Sequence, residues 1–175
     1  MENQLSMQFD SSNDLIHYLN SSKLNHDEYL KSLPPGFHFR PTEKELIVDY
    51  LMKKIKNEKM YPNPIKDVDI YKFNLENLAD VYKVEGEREM YFFTPRDKKY
   101  KNGQRPKRTT IDGYWKPTGA DKTILHNGEA VGCDKSLVFY KGKPPCGVKT
   151  SWLMHEFRVN NLPPRQRTHE DDMRI

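Results

Sequence analysis

The chain has 175 residues and a mass of 20.7 kDa, enough for one domain with its own core and too little for a second full one. Hydrophobic residues make up 35% and charged residues 31%, so the core has to come from large side chains, which 8 Phe, 10 Tyr and 2 Trp supply. The net charge of +4 hides a segregation, because residues 96–149 hold 13 Lys or Arg against 5 Asp or Glu whereas residues 1–95 hold 12 against 16; a basic block of that kind suits a polyanion.

No apolar run approaches the length of a membrane span, and MENQLSMQFDSS lacks the basic start and apolar stretch of a signal peptide. The expectation is a soluble intracellular chain with no membrane partner. Cys133 and Cys146 stand outside any C-x-x-C pair, which argues against a disulfide framework or an ordinary zinc module, and no metal or other cofactor is expected.

Residues 1–32 are rich in Asn and Ser, with a weak helical pattern at Leu15, Ile16 and Leu19, and read as a flexible N-terminal extension. The ordered domain is expected over 33–160, with 161–175 a short C-terminal tail. It opens with LPPGFHFRPTEKEL, where Thr42 and Glu45 have capping-box spacing and Ile47, Leu51 and Ile55 repeat every four residues. That pattern predicts an amphipathic helix over about 43–55. YPNPIKD breaks it, and LENLAD at 75–80 allows a short helical turn.

From residue 88 the segments EMYFFTP, TTIDGYW, KTILH, AVGCDKSLVFY and GVKTSWLMHEFRV are aromatic and β-branched, separated by N-G and K-G-K-P-P turns. Strands joined by short turns predict an α+β fold that is mainly β, one twisted antiparallel sheet flanked by a few short helices. If TTIDGYWKPTG is extended throughout, Thr110, Asp112, Tyr114 and Lys116 share one side and Trp115 lies on the other, free to enter the core. Proline at 117 has no N–H and belongs at an edge or bulge. Upstream, Arg96, Lys98, Lys99, Lys101, Arg105, Lys107 and Arg108 gather around Asn102–Gly103. A strand of this kind fits the major groove of duplex DNA, with the cations on phosphates; single strands stacked on Tyr114, and a merely solvated basic loop, stay open as readings. No catalytic residues are found: His155-Glu156 lacks the second histidine of a zinc-protease helix, and neither a G-x-S-x-G nor a phosphate-binding glycine loop occurs.

Four blocks in order, LPPGFHFRPTEKELIVDYL, EMYFFTPRDKKYKNGQRPKR, GYWKPTGADK and LVFYKGKPPCGVKTSWLMHEFRV, closely resemble the signature blocks of the NAC domain of plant transcription factors. The resemblance implies a nuclear regulator of transcription that binds double-stranded DNA at a short CGT-containing core. It would act as a homodimer, or as a heterodimer with other NAC proteins. The implied DNA-binding residues are Arg96, Lys99, Arg105 and Arg108 before the GYWK strand, Tyr114, Lys116, Thr118 and Lys122 in or after it, and Lys149. The implied dimer interface is Leu33, Pro34, Pro35, Gly36, Phe37, His38, Arg40 and Glu45.

This chain departs from the family pattern at Pro117, Ala120 and Cys146, where two phosphate contacts are expected to be lost. The family's F-R-F arginine pairs with a glutamate matching Glu45 across the two-fold; here the order is Phe37-His38-Phe39-Arg40, which predicts a weaker or pH-sensitive dimer. The family also runs on past its acidic residues into an apolar strand and a regulatory tail, whereas this sequence stops at Ile175, so an exposed sheet edge is expected. The alternative function is a truncated competitor that pairs with longer relatives and lowers their DNA binding.

Overall fold

The computed structural model describes residues 34–61, 63–83, 87–95, 108–160 and 173–175. The chain divides into a small unit, Met1–Phe37 with Tyr61–Pro64, and a main unit, His38–Met60 with Ile65–Ile175. In the small unit the Phe37 N–H donates to the Pro34 carbonyl at 3.1 Å, closing a turn that leaves the Phe37 ring 65% exposed.

The main unit begins with helix α1, an α-helical turn at Glu43–Glu45 that continues as a π-helical stretch, Leu46–Leu51, and ends as α-helix at Met52–Ile55. The capping box forms as its spacing predicts: the Glu45 N–H donates to Thr42 Oγ1 at 3.3 Å, and the Thr42 N–H donates to Glu45 Oε2 at 2.7 Å. That backbone hydrogen bond, followed by the one from the Thr42 hydroxyl, holds the Glu45 carboxyl below the usual glutamate range. A lowered carboxylate stabilises the fold above its unfolded pKa, about 4.3, and loses that contribution as pH falls through the folded value. Thr42→Ala is therefore expected to cost about 1 kcal/mol at neutral pH, less below about pH 4. Urea titrations at pH 7 and pH 3.5 check this, and an equal cost at both would refute the capping role of Glu45.

Strand β1 (Lys66–Asp67) runs parallel to β2 (Phe92–Pro95), which on its other side pairs antiparallel with β7 (Met173–Arg174). Among the described residues this two-residue pair is the one parallel ladder in a fold that is otherwise antiparallel, as expected. Between them lie a 3₁₀ turn at Ile70–Lys72 and helix α2 (Leu75–Tyr82), capped by Asn74, whose side chain accepts from the Asn77 N–H at 2.7 Å. α2 is longer than the turn expected at 75–80. Ile175 is buried in the core, and its carbonyl accepts from the Phe157 N–H at 2.8 Å.

The larger sheet is built on β5 (Glu129–Lys141). One edge of β5 pairs with β6 (Val148–Val159); the other pairs with β4 (Lys122–His126) along its first half and β3 (Gly113–Pro117) along its second. Asn127 and Gly128 both take positive φ, 52° and 82°, the conformation that an Asn-Gly hairpin turn requires.

β5 buries opposite faces in its two halves. Gly132 and Asp134 are buried on one face and Leu137 and Phe139 on the other, an odd step in a period of two. The first half lies under α1 so closely that a Cβ at Gly132 would stand 2.3 Å from Ile47 Cδ1; Ile47, Leu51, Phe93, Ile124 and Phe157 complete that core. The second half packs its other face on Leu75, Leu78 and Trp115. On the face that holds α1 in the first half, no helix among the described residues packs on the second half.

Candidate nucleic-acid interface

TTIDGYW does not run extended from 109. Thr109 bridges back to Tyr114, the Thr110 N–H donates to the Gly113 carbonyl at 2.9 Å, and the Gly113 N–H donates to Thr110 Oγ1 at 3.1 Å. The segment is a tight turn, and β-strand alternation starts at Gly113. From there it holds: Gly113 and Trp115 are buried, Tyr114 is half-buried and Lys116 is exposed. Pro117 closes the strand as its last residue. Trp115 lies 6% exposed with its ring centroid 5.1 Å from that of Phe139.

The register sets Tyr114 opposite Tyr140, and Tyr140 opposite Lys149, so three strands present one row on the face opposite Trp115 and Phe139. The two tyrosine rings stack at 5.4 Å with 16° between their planes. The Tyr114 hydroxyl donates to the Pro145 carbonyl at 3.3 Å, joining the β3 strand to the β5–β6 turn. Lys116 Nζ sits 5.6 Å from the Tyr140 ring centroid, a cation–π approach that spreads the charge over the row. Thr118 anchors the end of the strand, its N–H donating to the Ser136 carbonyl at 2.9 Å. Lys143 and Lys149 are exposed nearby, and no carboxylate among the described residues pairs with Lys116, Lys143 or Lys149.

The other basic residues differ. Lys122 pairs with Glu43 at 2.7 Å, a hydrogen bond that raises its pKa, and Lys141 pairs with Glu76 at 2.8 Å to the same effect. Both pairs are solvent-exposed and of the strength of surface ion pairs. Arg108 turns inward: its side chain is 17% exposed, with Nη2 3.7 Å from the buried Glu156. Arg96, Lys99 and Arg105 lie outside the described residues, as does Leu33. Tyr140 and Lys143 were not singled out in the sequence. The signal for Tyr140 was available, since it is two strand positions from Val138 on the side opposite Phe139.

Of the dimer block, Pro34, Pro35, Gly36, Phe37, His38 and Arg40 are exposed. His38 Nδ1 lies 2.8 Å from Glu87 Oε1, and Glu45 spends its carboxylate on the Thr42 cap of its own helix. Both residues therefore have partners inside the chain. Cys133 and Cys146 are free thiols, and among the described residues no three His, Cys, Asp or Glu side chains gather as metal ligands.

The family model described as No apical meristem (NAM) protein matches residues 34–159. The chain is 52% identical over 132 residues to NAC domain-containing protein 10 of Oryza sativa subsp. japonica, covering 74% of this chain and 31% of that one. It is 52% identical over 128 residues to NAC domain-containing protein 2 of Solanum lycopersicum, covering 73% and 46%. With NAC transcription factor 29 of Arabidopsis thaliana the identity is 48% over 144 residues, 82% of this chain and 53% of that one. The chain thus spans from about a third to about half of the length of these relatives. A match running from Pro34 through the end of β6, over a mainly antiparallel sheet with few helices, places the chain in the NAC domain family of plant transcription factors.

Proposed function

We propose that this chain binds double-stranded DNA in a sequence-specific manner and regulates transcription in the nucleus, with β3 entering the major groove at a CGT-containing core. The observation that carries the reading is the row of Tyr114, Tyr140 and Lys149 with Lys116 over the Tyr140 ring, where among the described residues the cations have no carboxylate partner and no helix packs on the face. A β-ribbon of this width fits the major groove, where base edges carry a distinguishable pattern. The stacked tyrosines hold the strand flat while lysines meet phosphates and fix the register. Arg96, Lys99 and Arg105, close before β3 in sequence, extend the basic track, and Lys122 joins it by exchanging Glu43 for a phosphate. Named relatives described as transcription factors support the same reading.

The protein acts as a homodimer, or as a heterodimer with related chains, through the exposed segment around Phe37, His38 and Arg40. An aromatic ring 65% exposed, followed in sequence by the exposed polar side chains of His38 and Arg40, suits an interface with an aromatic anchor and a polar rim. Fluorescence-anisotropy titration on matched and scrambled duplexes across a salt series tests the binding. With about six phosphates neutralised, log K should fall against log salt with a slope of about −5, and the matched duplex should bind at least about 10³-fold more tightly. Equal affinity for both duplexes would reject sequence-specific recognition.

A further inference from the structure

The face of the sheet opposite α1 carries an ionic network that the DNA row does not use. Lys135 and Glu156 are register partners on β5 and β6, as are Cys133 and Arg158, so Lys135, Glu156 and Arg158 lie side by side on one face. Glu156 is 3% exposed and has two guanidinium groups 3.7 Å from Oε1, Nη2 of Arg108 and Nε of Arg158. Asp121 takes hydrogen bonds from Lys135 Nζ and Arg158 Nη2. Hydrogen bonding from Lys135 first, with the charges of Lys135, Arg158 and Arg108 behind it, holds its carboxyl below the usual aspartate range against the opposing effect of desolvation.

Two members of this network bracket β3. Arg108 precedes it and its carbonyl accepts from the Trp115 N–H at 2.8 Å; Asp121 follows it, after the Thr118 N–H has bonded the Ser136 carbonyl. One end of the strand that carries Tyr114 and Lys116 is thereby tied to Glu156 on β6 and the other to Lys135 on β5 and Arg158 on β6, and Arg158 links the two ties by approaching Glu156 as well. Arg108 is also the last residue of 96–108, in sequence the most basic stretch of the chain. A guanidinium 17% exposed beside a buried carboxylate has little reach toward a phosphate.

Resting on the DNA-binding reading above, we infer that Glu156 and Asp121 are positioning residues for duplex recognition, and that Arg108 acts through Glu156 to set the register of β3 instead of contacting a phosphate. Three cations share two carboxylates in the network, and losing either carboxylate frees β3 to shift relative to the lysines on β5 and β6. Base readout needs that register; phosphate attraction does not.

The test uses the full chain and the same matched and scrambled duplexes, with Glu156→Gln, Asp121→Asn, Arg108→Ala and Arg108→Lys, each checked by circular dichroism for folding. Asp121 is the more exposed carboxylate, so Asp121→Asn keeps the test open if Glu156→Gln does not fold. Each carboxylate variant and Arg108→Ala should lower the matched-to-scrambled ratio by about tenfold or more, leaving the salt slope within about 0.3 of wild type where one lost phosphate contact would change it by about 0.9. Arg108→Lys should recover part of the ratio. The inference is overturned if Arg108→Ala flattens the slope by about 0.9, or if folded Glu156→Gln and Asp121→Asn keep the wild-type ratio. If wild type itself shows no preference between duplexes, the DNA-binding reading fails first and takes the inference with it.

Discussion

Lys116→Glu should weaken binding to a matched CGT-core duplex by tenfold to more than a hundredfold while leaving the melting temperature close to wild type. Lys116 is exposed on β3, and among the described residues no helix packs on that face and no carboxylate pairs with it. Its ammonium is therefore available to a base edge or phosphate, contacts worth about 1–3 kcal/mol each, and charge reversal adds repulsion to that loss. Folding depends on it little, since surface changes away from special features usually stay within about 0.5 kcal/mol. Lys122→Ala is the informative contrast: Lys122 already spends its charge on Glu43, so DNA gains only the difference between two partners and the loss should be several-fold smaller. Binding of Lys116→Glu at wild-type strength would leave the β3 row without a role.

The largest expected effect on stability is at Trp115. Trp115→Ala removes an indole 6% exposed that packs on Phe139 and closes the core over Leu75 and Leu78; truncations of this size cost about 3–5 kcal/mol. Gly113→Ala attacks the same strand from the backbone. A Cβ there would stand 2.3 Å from the Tyr140 carbonyl oxygen and 2.4 Å from Phe139 Cζ, and neither a ladder carbonyl nor a fully packed ring can step aside cheaply, so about 1–3 kcal/mol is expected. Guanidinium unfolding curves measure both. A Gly113→Ala midpoint equal to wild type would show that β3 is not pressed against β5 as described.

Several elements were legible in the sequence because their signals are local. α1 announces itself through four-residue spacing and the Thr42–Glu45 box, and the Asn127–Gly128 hairpin through its dipeptide. Trp115 follows from alternation with Lys116. What stayed hidden depends on contacts between distant residues. Thr109, Thr110 and Ile111 have strong strand propensity, yet the Thr110 hydroxyl bonds the Gly113 N–H and closes a turn. Arg108 belongs by composition to a solvated basic run, and only β6, some fifty residues on, brings Glu156 beneath it. The pairing of Lys122 with Glu43 and Lys141 with Glu76 likewise joins residues far apart in the chain. Glu45 was legible twice over, as cap and as interface, and within the chain it is the cap.

The change of buried side along β5 gives this one strand membership in two cores. Releasing Gly132 from Ile47 and releasing Phe139 from Trp115 both strain the same thirteen-residue backbone, so neither half can melt without disturbing the other's ladder. Amide protons of Gly132 and Leu137 should accordingly exchange through a common opening event. Perturbations beneath α1 would then be felt at the tyrosine row, with β5 as the beam that carries them.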